Sequence, residues 1–278
     1  MSLTPALERI AQDAARGKLV FPSHAKVVLA VRRALDDPDL PLEKLCHLIS
    51  AEPMLSARMV SVANSVAYRR TGPIVVGVRN AVTRLGFRNV RTMATAFLVR
   101  MMRDVPTVPA HRDLTRRLWE HSVHVAALAR AIAQRVVRQD PDAAFFAGIV
   151  HDAGAFYLVA RAGDTPGLID EARANWEGDG ESLVGGFVLR EIDVPADVQS
   201  ACEELWRGRP HDPPFSLGDV LGLADRLVPV ASPFARPREA GPASGAGVAG
   251  PPAVSDMLKA ALADADYEVK SLVSALSG

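Results

Sequence analysis

An all-α fold is predicted for this chain by three observations. Apolar residues recur at three- and four-residue intervals over long stretches, strand-like alternation bounded by turns is hard to find, and glycine and proline punctuate the periodic stretches. With 278 residues, 49% apolar and 23% charged, the chain can bury a sizeable core and belongs with globular rather than disordered proteins. It could hold one large domain or two small ones.

The elements follow in order. Residues 3–16 are predicted as a first helix, and Pro22-Ser23 opens a second that runs to about Leu35, because serine before an apolar-periodic stretch is a start signal. Asp37-Pro38-Asp39 and Pro41 make a turn, and Pro41–Ser50 is amphipathic with proline in its first turn, where a missing N–H costs nothing. Another helix begins near Pro53 and reaches Ala67. Tyr68–Pro73 reads as a loop, Val78–Leu85 as a helix ended by Gly86, and Asn89 as the cap of a longer apolar helix to about Arg103. From Ala110 to about Val137 the pattern is strongly periodic, and Asp140-Pro141 starts the next helix. Weaker signals predict helices near 164–177, 180–190, 195–206 and 215–229. Residues 232–254 are so rich in Pro, Gly and Ala that they read as a linker. Ser255–Leu276 regains a helical pattern and could dock on the body, pair with another copy, or stay mobile. The expected organisation is an N-terminal helix (1–17), a first helical lobe (18–108), a second helical lobe (109–231), the linker (232–254) and a C-terminal helix (255–278).

Composition excludes several classes. Cys46 and Cys202 stand far apart without C-x-x-C spacing, so no disulfide framework or cysteine zinc site is suggested. The N-terminus has an early acid and no apolar signal region, and no run of about 18 apolar residues is present. A cytoplasmic location away from the membrane is therefore expected. The zero net charge forces no partner.

The chemistry concentrates in Ala144–Phe156, where His151 and Asp152 sit side by side in an apolar segment. A buried carboxylate is tolerated when hydrogen-bonded, paired or coordinated to a cation, and neutral imidazole is the commonest metal ligand. His121 lies thirty residues earlier, with His124 one turn on along the same side, and Asp225 is a further acid in an apolar helix. His121, His151, Asp152 and Asp225 could together hold a divalent first-row metal with positions left for water and phosphate oxygens. The competing reading has His121 facing solvent or bonded to a carbonyl, His151 and Asp152 holding each other, and Asp225 paired with an arginine.

This H…HD…D series resembles the HD superfamily of metal-dependent phosphohydrolases. The preceding segment Leu48–Ser65, with Ile74 and Asn80-Ala-Val-Thr-Arg-Leu-Gly86, is similar to the HDOD branch, the HD-related output domain, over roughly residues 18–230. The resemblance implies a multi-helix HDOD/HD-like bundle in two packed lobes. It also implies a non-catalytic bacterial signalling module with a protein partner, and a divalent ion such as Mn, Fe or Mg if the ligand series is functional. The chain departs from the family after the His-Asp pair: Glu181–Leu189 has no histidine, and the expected double histidine appears as Pro210-His211-Asp212-Pro213. Those are positions that support a second metal, so a two-metal cyclic-di-GMP hydrolase is disfavoured. A single-metal hydrolase of a nucleotide phosphoester is the alternative.

From Arg58 to Arg103 there are nine arginines and no Asp or Glu. Such a field could attract a nucleotide or other phosphate ligand or an acidic partner domain, and Arg84, Arg88 and Arg91 could share one helix face. Balance by acids brought close in the fold is the equal alternative. No aromatic residues alternate with these arginines, which argues against nucleic acid. Asn64 could contact a ligand or satisfy the end of its own helix, and His124 and His211 are further candidate contacts. Trp119, Trp176 and Trp206 are expected as half-buried packing anchors.

Overall fold

A computed structural model describes residues 8–10, 12, 25–69, 72–103, 105, 108–165, 167–208, 211, 214–235 and 256–277. Among them the secondary structure is entirely helical. The helices are α1 (Lys26–Ala34), α2 (Leu42–Ser50), α3 (Pro53–Asn64), α4 (Val66–Arg69), α5 (Val78–Arg103), α6 (Pro109–Ile132), α7 (Pro141–Val150), α8 (Ala153–Arg161), α9 (Leu168–Asn175), α10 (Gly186–Glu191), α11 (Ala196–Arg207), α12 (Leu217–Leu227) and α13 (Asp256–Ser277). Of the helix expected over 3–16, only residues 8–10 and 12 fall within the described residues, and they are helical.

The helix starts follow from local chemistry. Proline occupies the first turn of α3, α6 and α7, where no backbone donor is needed. Asp140 caps α7 by accepting the N–H groups of Asp142 (2.9 Å) and Ala143 (3.1 Å). Ser216 and Asp219 form a reciprocal capping box at the start of α12.

Gly86 ends the first segment of α5, as expected: its backbone is non-helical (φ 75°, ψ 159°), and a second helical segment, joined to the first across this kink, runs on to Arg103. Asn89 does not cap that second segment; its amide donates to the Leu85 carbonyl (2.9 Å) and to Asp142 Oδ2 (3.0 Å). The C-terminal half of α5 is buried nearly all round, from Asn89 through Met102 apart from Arg91. α6 widens into a π-helical turn over Ala133–Val137 and stops where Arg138 takes a left-handed conformation (φ 56°). The stretch Pro141–Arg161 is long and apolar enough to cross a membrane by length and composition, and 94% of its apolar window is buried inside the fold.

Buried side chains from Ile10 to Leu276 make one continuous core. A polar network crosses it. Arg130 on α6 donates to Asp142 on α7 (3.1 Å) and lies 4.9 Å from the centroid of the Tyr68 ring, while the Tyr68 hydroxyl donates to the same carboxylate (3.1 Å). α13 docks back on α6, α3 and α4. Its last carbonyls accept from Arg58 (at Ala275), and from Arg100 and the Trp119 indole (both 3.3 Å from the Leu276 oxygen). Cations at a helix C-terminus satisfy orphan carbonyls and oppose the helix dipole. Burial, then Arg100 and Arg103, pull Arg58 down to about 10.

Candidate metal centre

His121 comes from the middle of α6, and His151 and Asp152 from the break between α7 and α8. Bringing them together requires α6 and α7 to cross with their backbones almost touching. Gly148 permits this: a Cβ there would lie 2.3 Å from the Ala126 Cα, a separation that no side chain tolerates. At Asp152 the backbone leaves helical geometry (φ −97°, ψ 13°). Adjacent residues of one helix point about 100° apart, so the break is what lets consecutive His and Asp side chains face one centre.

The donor atoms converge. His121 Nε2 and His151 Nε2 are 3.3 Å apart, and Asp152 Oδ2 lies 3.4 Å from His151 Nε2 and 3.8 Å from His121 Nε2. All three residues are buried, at 1–3% exposure. Each ring is oriented through its other nitrogen: His121 Nδ1–H donates to the Val230 carbonyl (2.7 Å) and His151 Nδ1–H to the Gly148 carbonyl (2.9 Å). Carbonyls only accept, so each Nδ1 carries a proton, and with an ion bound both Nε2 atoms would present their lone pairs inward. This is the arrangement in which backbone acceptors fix metal-ligating imidazoles. Nitrogen ligands at about 2.1 Å from a common ion are separated by about 3.0–3.4 Å in octahedral or tetrahedral geometry, so the 3.3 Å spacing fits one shared cation.

Asp225 approaches from the solvent side. Its carboxylate is 34% exposed and lies 3.0 Å from His121 Nε2, the atom that would face a metal. It falls outside the mutual 4.8 Å range that His121, His151 and Asp152 share. Without an ion, a proton takes the central place. Burial lowers the His121 pKa, but the hydrogen bond to Asp225, the charges of Asp152 and Asp225 and the Val230 carbonyl outweigh it and push the ring up to about 9. His121 is then an imidazolium bridging Val230 and Asp225.

The segment after α12 closes the centre. Besides the Val230 carbonyl, the Ser232 hydroxyl donates to Asp152 Oδ2 (3.4 Å), and Phe234, 2% exposed, packs against Trp176 with ring centroids 5.4 Å apart. Ser232 and Phe234 lie in the stretch expected to be linker, and no local pattern marks them; only 236–254 of that stretch lies outside the described residues.

The other expected contacts lie elsewhere. His124 turns to its own helix, at 2.8 Å from the Glu120 carbonyl. His211 bonds Asp219 (2.9 Å) and lies against the Phe215 ring. Asn64 clamps the backbone of Val75 at two points, donating to its carbonyl (2.8 Å) and accepting its N–H (2.9 Å). Arg84 donates to the carbonyls of Ala63 (3.1 Å) and Pro73 (2.6 Å), Arg88 pairs with Asp140, and Arg91 pairs with Asp36 (2.5 Å). The arginine-rich face is thus substantially balanced by acids and carbonyls brought close in the fold. Trp119, Trp176 and Trp206 are more deeply buried than expected, at 3%, 2% and 8% exposure.

Three comparisons bear on this arrangement. The structure is similar to a Shewanella amazonensis protein provisionally named a metal-dependent phosphohydrolase (TM-score 0.66, 19% identity, 98% of this chain and 100% of that one). It is similar to a Geobacter sulfurreducens HDOD domain protein of unknown function (TM-score 0.60, 20% identity, 96% of each chain). It also matches a Marinobacter aquaeolei protein provisionally named for signal transduction (TM-score 0.58, 18% identity, 98% of this chain and 65% of that one). At these identities the likeness establishes the fold. No curated protein matches the chain. The HDOD domain profile matches residues 21–183, more than half of the sequence, and the chain belongs to the HDOD family.

Proposed function

We propose that this protein is a regulatory signal-transduction module that acts through binding, in which His121, His151 and Asp152 hold one divalent ion as a joint between α6, the α7–α8 break and the segment after α12. The observation that carries this reading is the closure of the centre. The three donors are 1–3% exposed, and Val230 and Ser232 bond directly to two of them. A phosphoester needs an open face on the ion, and the three donor side chains are almost wholly withdrawn from solvent. A metal in such a place ties three chain segments together, and its binding free energy becomes folding free energy. The partner would be another protein.

The second reading is a single-metal phosphohydrolase acting on a nucleotide phosphoester. It is favoured by Asp225, whose partly exposed carboxylate reaches the centre from the solvent side, and by the name given to the Shewanella relative. A divalent ion would supply Lewis acidity toward the phosphoryl oxygen. Before the ion is loaded Asp225 would hold the proton on His121 Nε2, and on loading that proton would pass to solvent while Asp225 keeps its negative charge beside the ion.

Elemental analysis of protein loaded with Mn, Fe or Mg separately, followed by a nucleotide phosphoester screen, tests both. The binding reading expects near-stoichiometric metal, absent in a folded Asp152→Ala variant, with no turnover above buffer. Metal-dependent turnover abolished in Asp152→Ala would replace it with the hydrolase.

A further inference from the structure

Away from the His-Asp centre, a cavity of about 270 Å³ opens between α1 and the turn that follows α10. Its floor is Arg32, whose side chain is 6% exposed. A buried guanidinium has five N–H groups to satisfy. Its charge is met by a contact of 3.4 Å from Nη2 to Asp193 Oδ2, and its buried Nε has no hydrogen-bond partner among the described residues. Burial is the main reason its pKa lies below the ordinary arginine value.

The carboxylate on Arg32 is poorly suited to it. Asp193 is 69% exposed and sits in a left-handed turn (φ 55°) in which its N–H closes back on the Arg190 carbonyl (2.9 Å). It reaches inward from the rim as a single oxygen rather than as a two-pronged partner. Arg33 and Arg190 stand exposed on the same rim. Among the described residues neither is ion-paired; Arg190 stacks on Phe187 at 4.7 Å. Asp36 also lines the cavity but is engaged by Arg91 (2.5 Å). Glu191 and Asp193 are therefore the acids that an incoming anion would meet, against three arginines.

We propose that this cavity is an anion subsite for the phosphoryl group of a small molecule, with Arg32 as the two-pronged floor and Arg33 and Arg190 as the rim. A phosphoryl group offers three acceptor oxygens, enough to engage Arg32 Nε and Nη2 together while leaving one for the rim, and it would displace the Asp193 carboxylate into solvent. The subsite joins α1, near the start of the described fold, to the α10–α11 turn, some 160 residues later. Occupancy would fasten those two regions to each other.

Inorganic pyrophosphate is the probe, titrated calorimetrically into the full chain at constant ionic strength. Excess chelator keeps it from bridging to a metal at the His-Asp centre. Saturable binding is expected, weakened tenfold or more in Arg33→Gln/Arg190→Gln, whose exposed side chains leave the melting temperature unchanged. Arg32→Lys keeps the charge and loses the fork, and it should weaken binding as much. Asp193→Asn removes the competing carboxylate and should tighten binding several-fold. Absence of binding at millimolar pyrophosphate overturns the proposal. So does binding that the double variant leaves unchanged, and the double variant decides the matter even if Arg32→Lys fails to fold.

Discussion

His121 Nε2 and His151 Nε2 face each other at 3.3 Å while each ring donates its Nδ1 proton to a backbone carbonyl. Two inward lone pairs at that distance repel unless a proton or a cation lies between them, and Asp152 and Asp225 favour either. The centre is consequently a place where metal binding and proton loss exchange.

Asp152 and Asp225 should separate cleanly in metal retention. Asp152→Ala removes a donor within the mutual range and should abolish stoichiometric metal. Asp225→Asn keeps the three donors and alters only their neighbour, so it should retain metal with affinity reduced about 10–100-fold. Elemental analysis and chelator competition distinguish the two. Equal loss in both variants would make Asp225 a ligand of the same rank.

Gly148→Ala should destabilise the fold by about 1–3 kcal/mol, the usual range for forcing extra atoms into a packed interface. The added methyl would meet the Ala126 backbone at 2.3 Å, and backbone cannot swing aside. Because the same crossing sets the His121–His151 distance, metal affinity should fall with stability. Chemical denaturation read beside metal titration checks the pairing, and Gly163→Ala, with open space around it, is the matched control.

Arg130→Leu should cost about 1–3 kcal/mol, because it leaves the partly buried Asp142 and Glu268 carboxylates without their shared cation. Asp142 would retain Tyr68 and Asn89 as neutral donors (3.1 and 3.0 Å). Adding Asp142→Asn to the variant should recover part of the loss. Equilibrium unfolding of the single and double variants gives the coupling.

Asp219 predicts a pH dependence. Burial raises its carboxyl, but the N–H and ring of His211 and the N–H groups of Ser216 and Phe215 outweigh that and hold it well below the usual carboxylate range. A folded-state pKa below the unfolded one contributes stability that is complete above about pH 4 and is lost as pH falls through the folded value. Asp219→Asn should therefore be less stable than the parent by about 2 kcal/mol at pH 7, in the range for hydrogen bonds to charged groups. The gap should narrow as the medium is acidified below pH 4. A gap independent of pH would mean that shape rather than charge carries the cap.

Local pattern accounts for much of this molecule. Pro53 and Asp140-Pro141 mark helix starts because proline has no first-turn N–H to satisfy and an aspartate side chain accepts those that remain, and those are properties of a few neighbouring residues. The motif Ala147-Gly-Ile-Val-His-Asp152 likewise carries both the donors and, in Gly148, the close approach that seats them. Other features depended on residues far apart in sequence. Gly86 reads as a stop and does break the helix, whereas Asn89 reads as a cap and instead bonds Asp142, which α7 brings from far along the chain. The arginines of 58–103 read as a basic face until Asp36, Asp140 and the carbonyls at the end of α13 arrive from remote segments. Ser232 and Phe234 look like linker because they stand among prolines, glycines and alanines, and only the tertiary structure sets them over Asp152 and against Trp176. Spacing along the chain determines which residues share a helix face; which faces meet is decided by packing across the whole core, and there the second carboxylate, the closing segment and the charge balance were settled.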